Sequence, residues 1–422
     1  MVRQEGPATD GADLADLADL ADLAGLRRRL VERVRERGGA LSEPVAAALR
    51  SVPRHLFVPG TPPEAAYRDL PIVTKRDADG RPISSSSQPT IMAIMLDQLG
   101  VEPGHRVLEI GAGTGYNAAL LAHLTGPGGE VVSVDIDRDV ADAARAHLTA
   151  AGHPGVHVVC GDGARGFAAR APYDRVIATV GVWDLEPAWL DQIASGGRVV
   201  VPLDLRGVQC SVALERAEGH WTSRSIQPCG FMRMRGPAAG PERTYVLDRD
   251  AQLILESPAG GDLDAAATRA LLAGPASGRE TGVTAGTAEV CAGFNLWLAV
   301  HQPRWFSLAE SGASGLLERA PLAMEGYTLT YGVLGDDGLA VLRRGEGADS
   351  CFALVVDGYG PGGEPAERLA ALVREWDAAG RPATGDLRLD AHPRDTPDAA
   401  LDGRTVIDKT HTRLALSWPN RL

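Results

Sequence analysis

The run Val107-Leu-Glu-Ile-Gly-Ala-Gly-Thr-Gly-Tyr-Asn117 carries the clearest chemistry in the chain. An apolar stretch contains an acid, Glu109, then glycine recurs at Gly111, Gly113 and Gly115, and Ala118-Ala-Leu-Leu-Ala122 follows with helix-forming residues. Glycines so placed let the backbone turn sharply and approach a ligand where a Cβ would collide. After a strand, such a turn marks the first βα crossing of a nucleotide-type α/β fold. The spacing is not Gly-x-Gly-x-x-Gly, which argues against a dinucleotide. It is the Glu-x-Gly-x-Gly-x-Gly form suited to the amino-acid half of S-adenosyl-L-methionine, with Glu109, Gly111, Gly113, Thr114 and Gly115 as the expected cofactor residues. Glu109 is expected to order the loop through its backbone N–H groups or to touch the methionine end.

Two further acids extend this reading. Asp135 closes the next predicted strand, where a carboxylate can accept both ribose hydroxyl protons. Asp162, in Gly161-Asp162-Gly163, follows the third strand, and it or the Gly163 backbone can meet the adenine amino group. A plain Asp-Gly turn is the competing reading there. Acids also suit a cofactor that carries a sulfonium and an ammonium.

For the acceptor, the sequence offers no metal-ligand cluster, no cysteine nucleophile and no obvious His–acid pair near this core. A carboxylate acceptor needs none, because it is ionised at neutral pH and must mainly be positioned and shielded from water. Ser84-Ser85-Ser86-Ser87-Gln88-Pro89, ahead of an apolar helix from Ile91 to Leu99, has suitable chemistry. Hydroxyls and helix N-terminal N–H groups can hold a carboxylate without the close cation that would quench it. Ser87 and Ser86 are the expected residues at the transfer site. Ser84, Ser85 and Gln88 are expected to hold substrate, as is Val180, directly after a predicted strand. An N-cap serine is the plainer reading of Ser87 and is compatible with this one.

The elements that must position these residues follow from hydrophobic patterning. Short β-branched runs alternate with Ala-rich helical stretches from Arg106 to about Leu203, the βαβ signature. The predicted strands are Arg106–Ile110, Glu130–Asp135, Val156–Cys160, Arg175–Thr179 and Arg198–Pro202. They imply a parallel, doubly wound Rossmann-like sheet with helices on both faces, with Val212–Leu214 and Trp221–Met234 as late antiparallel strands. Upstream, helices are predicted over Leu26–Arg37 and Glu43–Arg50, and Pro53–Pro59 reads as extended. Asp-Leu-Ala repeats four times between Asp13 and Ala24, a period that drifts around a helix. The expected organisation is a flexible segment over 1–25, a methyltransferase domain over 26–236, a linker at Gly236–Pro241, and an additional α+β domain over 242–422. In the last block Trp297, Trp305 and Phe306 are core or a peptide-binding surface, and Arg413 or His411 could reach a peptide carboxylate.

Composition bounds the partners. Lys plus Arg number 42 against 55 Asp plus Glu, a net charge of −13, which disfavours nucleic acid and anionic membranes. Five scattered cysteines without a Cys-x-x-Cys pair fit a reducing compartment and no structural zinc. No membrane span or export signal is read, so a cytoplasmic protein is expected, with a monomer favoured.

Several motifs in one order resemble the protein-L-isoaspartate O-methyltransferase family. They are Val52-Pro-Arg-His-Leu-Phe-Val-Pro59, Ala66-Tyr-Arg-Asp69, Ile83 through Pro89, Gly111 to Ala119, and Gly196-Gly-Arg-Val-Val-Val-Pro202, spanning about residues 26–235. The resemblance implies a carboxyl methyltransferase with a peptide or protein substrate bearing Asp or isoaspartate, and makes Ser87 the active-site serine by position. Thr74–Ile83 and the four-serine run depart from the family's usual stretch, and the block after residue 242 is absent from the housekeeping repair enzyme. Long variants of this kind resemble methyltransferases of lanthipeptide and graspetide maturation. The leading expectation is therefore methylation of an Asp side chain in a modified ribosomal peptide, giving succinimide and then isoaspartate; general isoaspartyl repair is the alternative.

Overall fold

A computed structural model describes residues 11–78, 80–241, 244–258, 263–312, 314–324, 327–401 and 403–418, with side chains from residue 22 onward. The chain divides into two compact units, Met1–Val180 with Glu186–Val200, and Gly181–Leu185 with Val201–Leu422.

The first unit opens with helix α1 (Gly11–Gly38), which buries Leu26, Leu30, Val31 and Val34 along one stripe. The segment expected to be flexible over 1–25 is thus helical from Gly11. Leu and Ala are strong helix formers, and a helix already nucleated downstream extends without a new nucleation cost. Helix α2 (Glu43–Ser51) is capped by Ser42. Pro53–Pro59 is not extended: Arg54–Phe57 form a 3₁₀ turn closed by Leu56 N–H to Pro53 C=O at 3.0 Å. Each proline restricts itself and its predecessor, which leaves the residues between them free to turn. After α3 (Pro63–Ala66), strands β1 (Ile72–Arg76) and β2 (Pro82–Ser86) form an antiparallel hairpin, with Val73 opposite Ser85. Ser84, Ser85 and Ser86 therefore lie on a strand, with Ser87 just past its end, and the following helix α4 (Pro89–Leu99) has Gln88, not Ser87, at its N-cap.

Five parallel strands form the sheet that carries the site: β3 (Arg106–Ile110), β4 (Glu130–Asp135), β5 (His157–Cys160), β6 (Tyr173–Ala178) and β7 (Ile193–Leu205). Their order is β5-β4-β3-β6-β7. β3 is buried from Val107 to Ile110 and β4 from Val131 to Val134, the continuous apolar runs of strands covered on both faces. Helices α5 (Tyr116–Thr125) and α6 (Arg138–Ala150) link β3 to β4 to β5, and the chain then reverses to β6 on the other side of β3. That reversal creates a switch point at the carboxyl ends of β3 and β6, where α/β sheets bind ligands.

The second unit is mainly antiparallel. β8 (Val208–Arg216), β9 (Trp221–Pro228), β18 (Arg388–Pro393), β20 (Thr412–Ser417) and β19 (Thr405–Asp408) are neighbours in that order. A second sheet runs in the order β10 (Thr244–Asp248), β11 (Leu253–Glu256), β13 (Trp305–Glu310), β15 (Tyr327–Leu334), β16 (Leu339–Ala348), β17 (Cys351–Tyr359) and β12 (Ser277–Ala285), with β14 (Leu322–Met324) paired to β15. The expected boundary near residue 240 is therefore displaced. β9 pairs with β18 at Thr222 and Asp390, and Leu389 N–H donates to Ser223 Oγ at 2.9 Å, so β8 and β9 pack with the C-terminal block. The supposed linker is packed too: a Cβ on Gly240 would lie 2.4 Å from Trp183. Trp305 and Phe306 are core, whereas Trp297 is half-buried. Arg413 is engaged by Asp398 and Asp408, and His411 N–H donates to the buried Asp184. Among the described residues no helix is long and apolar enough to cross a membrane.

Candidate active site

The glycine loop is locked by its own backbone. Gly111 has φ +100°, and a Cβ there would lie 2.9 Å from both Thr179 Oγ1 and Val180 Cγ1. Thr179 Oγ1 donates to the Gly111 carbonyl at 2.7 Å, tying the ends of β3 and β6 together at the switch point. Val180, expected at the substrate, instead walls the loop at Gly111. Gly115 (φ +86°) opens α5, and a Cβ there would press on Ala144 and Leu148 of α6. The Thr114 carbonyl accepts from His147 Nδ1 at 3.0 Å.

The acids divide by role. Asp135 Oδ2 accepts Gly113 N–H at 3.0 Å and Oδ1 accepts Asp137 N–H at 3.0 Å, so this carboxylate sits at the end of β4 and fixes both turns around it. Glu109 is fully buried; its carboxylate accepts from Asn117 Nδ2 at 2.8 Å and from Ser133 Oγ. It orders the loop through the first turn of α5 rather than through backbone N–H groups. Burial pushes its carboxyl from 4.5 up to about 7, against the two hydrogen bonds that favour the ionised form. Asp162 accepts Ala164 N–H at 3.0 Å and caps the 3₁₀ turn Gly163–Arg165, and the Gly163 carbonyl accepts from Trp189 Nε1. The plain-turn reading of Asp162-Gly163 accounts for these contacts.

The serine strand is held by residues that sequence reasoning assigned no role. Arg54 is fully buried, and its guanidinium donates to the carbonyls of Arg68 (3.1 Å), Leu70 (3.2 Å), Ser87 (3.0 Å) and Ser86 (3.4 Å). Its cation lies 5.7 Å from the Tyr116 ring centroid, and burial lowers its pKa. Ser86 is buried with Oγ turned toward this guanidinium, which removes it from the transfer site; Ser87 is half-buried. Asp69 supplies the missing helix cap from a distance: it accepts Thr90 N–H at 2.9 Å, Thr90 Oγ1 at 2.8 Å and Gln88 Nε2 at 3.1 Å. Gln88 is thus spent inside the protein, contrary to its expected role with substrate. Ser85 presents its carbonyl 3.4 Å from where a Gly113 Cβ would stand, so serine strand and glycine loop are in near contact. Lys75 of β1 bridges to Asp137 at 3.0 Å and Asp139 at 2.8 Å. The motifs Val52–Pro59 and Ala66–Asp69 were the sequence signals for Arg54 and Asp69; nothing local pointed to Lys75.

With this geometry in hand, comparison with known proteins is decisive. Residues 26–237 match the sequence model of protein-L-isoaspartate (D-aspartate) O-methyltransferase. The chain belongs to that family. A protein-L-isoaspartate O-methyltransferase of Methanopyrus kandleri is 40% identical over 212 residues, covering 50% of this chain and 91% of that protein. One from Methanoculleus marisnigri is 43% identical over 194 residues, covering 46% and 84%. A solved structure of a protein-L-isoaspartate O-methyltransferase aligns with a TM-score of 0.49 at 25% identity, over 86% of this chain and 96% of that one.

The enzyme is a SAM-dependent protein carboxyl O-methyltransferase with a Rossmann-like fold, and S-adenosyl-L-methionine is its methyl donor. The residues present fit that group. Gly111 closes the loop to any Cβ, Asp135 stands at the end of β4, and Ile136 beside it is 39% exposed, an apolar surface the sequence reading passed over. When bound, the cofactor supplies an electrophilic methyl group.

Proposed function

We propose that this enzyme esterifies the free carboxylate of L-isoaspartyl residues in peptides and proteins, the general repair reading. The relatives it resembles over half its length favour this over a dedicated Asp in a modified ribosomal peptide. The observation that carries it is the serine strand, anchored by Arg54 at Ser86 and Ser87, in near contact with the glycine loop at Ser85. Arg54 holds the Ser87 carbonyl from behind, so the Ser87 hydroxyl is set for an acceptor carboxylate without conformational search. The nearest guanidinium is consumed by carbonyls, so no close cation quenches the nucleophile. Ser87 orients one carboxylate oxygen, and the β1–β2 hairpin shields it from water. The methyl ester is then attacked at its carbonyl carbon by the following backbone nitrogen, which gives up its proton as the C–O bond breaks and methanol departs, closing a succinimide that water hydrolyses.

A second reading rests on the departures in Thr74–Ile83 and on everything after residue 237, which lies outside the matched family region. There the second unit selects a dedicated peptide carrying Asp. Mass spectrometry of matched Asp and isoaspartyl peptides incubated with enzyme and cofactor separates the two. The expected result is one added methyl on the isoaspartyl peptide alone. Methylation of the Asp peptide, or of neither, overturns general repair.

A further inference from the structure

Beside the glycine loop lies a cavity of about 420 Å³, within the roughly 300–1,000 Å³ range of ligand pockets. Its apolar walls are Phe57, Val73 of β1, and Val140 and Ala143 of α6, and it also reaches Ser84 and Gly113. Lys75, Asp139, Thr114 and His147 also line it. The Lys75 ammonium is already engaged by Asp137 and Asp139, and His147 donates to the Thr114 carbonyl, so this polar lining is poorly suited to an anion. Of the four large apolar side chains exposed among the described residues, Val73 (40%) lies in the cavity wall and Leu70 (51%) stands three residues before it. Water-exposed aliphatic surface beside a formed cavity marks a binding surface more readily than a core defect.

We propose that this cavity is a specificity subsite that takes a bulky aliphatic or aromatic side chain of the substrate peptide, two or three positions from the acceptor residue. This rests on the isoaspartyl reading for the acceptor itself. The occupant follows from register. Ser84 lines the cavity and Ser87 lies three residues further along the same chain, about 10 Å away at ~3.3 Å per residue. An extended peptide with its acceptor at Ser87 spans that distance in two to three residues. A neutral apolar group matches both the walls and the already paired polar lining.

The test uses isoaspartyl hexapeptides differing only by Leu or Gly two or three positions from the acceptor, on either side. Binding is measured calorimetrically with S-adenosyl-L-homocysteine present, and methylation in parallel. The wild-type enzyme should prefer a Leu peptide by about 10- to 100-fold, the range for burying one such side chain. Ala143→Phe, at an exposed helix position, fills the cavity and should bring that ratio to about one. Val73→Asp, at the exposed strand position, should lower it at least about 10-fold. Equal binding of Leu and Gly peptides by the wild type overturns the proposal. So does a loss of S-adenosyl-L-homocysteine affinity in Ala143→Phe with the Leu preference intact, which would give the cavity to the cofactor. If the Leu preference appears in binding but no peptide is methylated, the functional reading fails and the subsite stands.

Discussion

The glycine loop and the serine strand come into near contact, yet their shapes are set in different ways. The loop takes its shape from positive φ at Gly111, Gly113 and Gly115, three glycines within five residues, and Thr179, Asp135 and His147 then brace it. The strand is held by Arg54 and the start of the helix after it by Asp69, both buried and both distant in sequence from what they hold. One side of this active site is thus written in consecutive residues and the other in a scaffold assembled from several segments. A lesion in the loop should strike the cofactor directly, whereas a lesion behind the strand should act through stability and the acceptor.

Gly111→Ala should have the largest effect. The new Cβ meets two atoms at 2.9 Å in a left-handed conformation, so affinity for S-adenosyl-L-homocysteine should fall at least about 100-fold by calorimetry. Retained affinity would mean that the loop yields and the contrast is false. Arg54→Met comes next. It orphans the carbonyls of Arg68, Leu70, Ser86 and Ser87, and loss of a buried charged partner costs about 3–5 kcal/mol. Chemical denaturation should register that loss, and kcat should drop more than cofactor affinity. Asp69→Ala removes the cap of α4 together with the Gln88 contact; about 2 kcal/mol of stability is expected to go, read as a lower midpoint of urea unfolding.

The smallest effect sharpens the comparison on the loop side. The carboxyl of Glu109 is raised from 4.5 to about 7 in the folded protein, so the folded state binds its proton more tightly than the unfolded state. Its contribution is complete below about pH 4.5 and is lost as pH rises through about 7. Glu109→Gln should therefore flatten the stability–pH profile between those values. An unchanged slope would assign that pH dependence to other groups.

Much of the nucleotide core was legible because it obeys local rules. β3 and β4 occupy the predicted residues. The serine run was misplaced because a chain of small polar residues carries no periodicity. Its strand character comes from pairing with β1 and its orientation from the Arg54 guanidinium. β10 (Thr244–Asp248) and β11 (Leu253–Glu256) form a hairpin whose turn hydrophobicity alone does not mark.

By itself the sequence marked the glycine loop, the acid at the end of β4 and the family, since glycine spacing and a strand-end acid are signals carried by consecutive residues. Tertiary structure alone decided which serine turns inward, that Asp69 caps a helix twenty residues downstream, that β8 and β9 join the C-terminal block, and that an apolar cavity opens beside the transfer site. Those outcomes depend on hydrogen bonds and packing between residues distant along the chain, whose partners are chosen only when the elements meet.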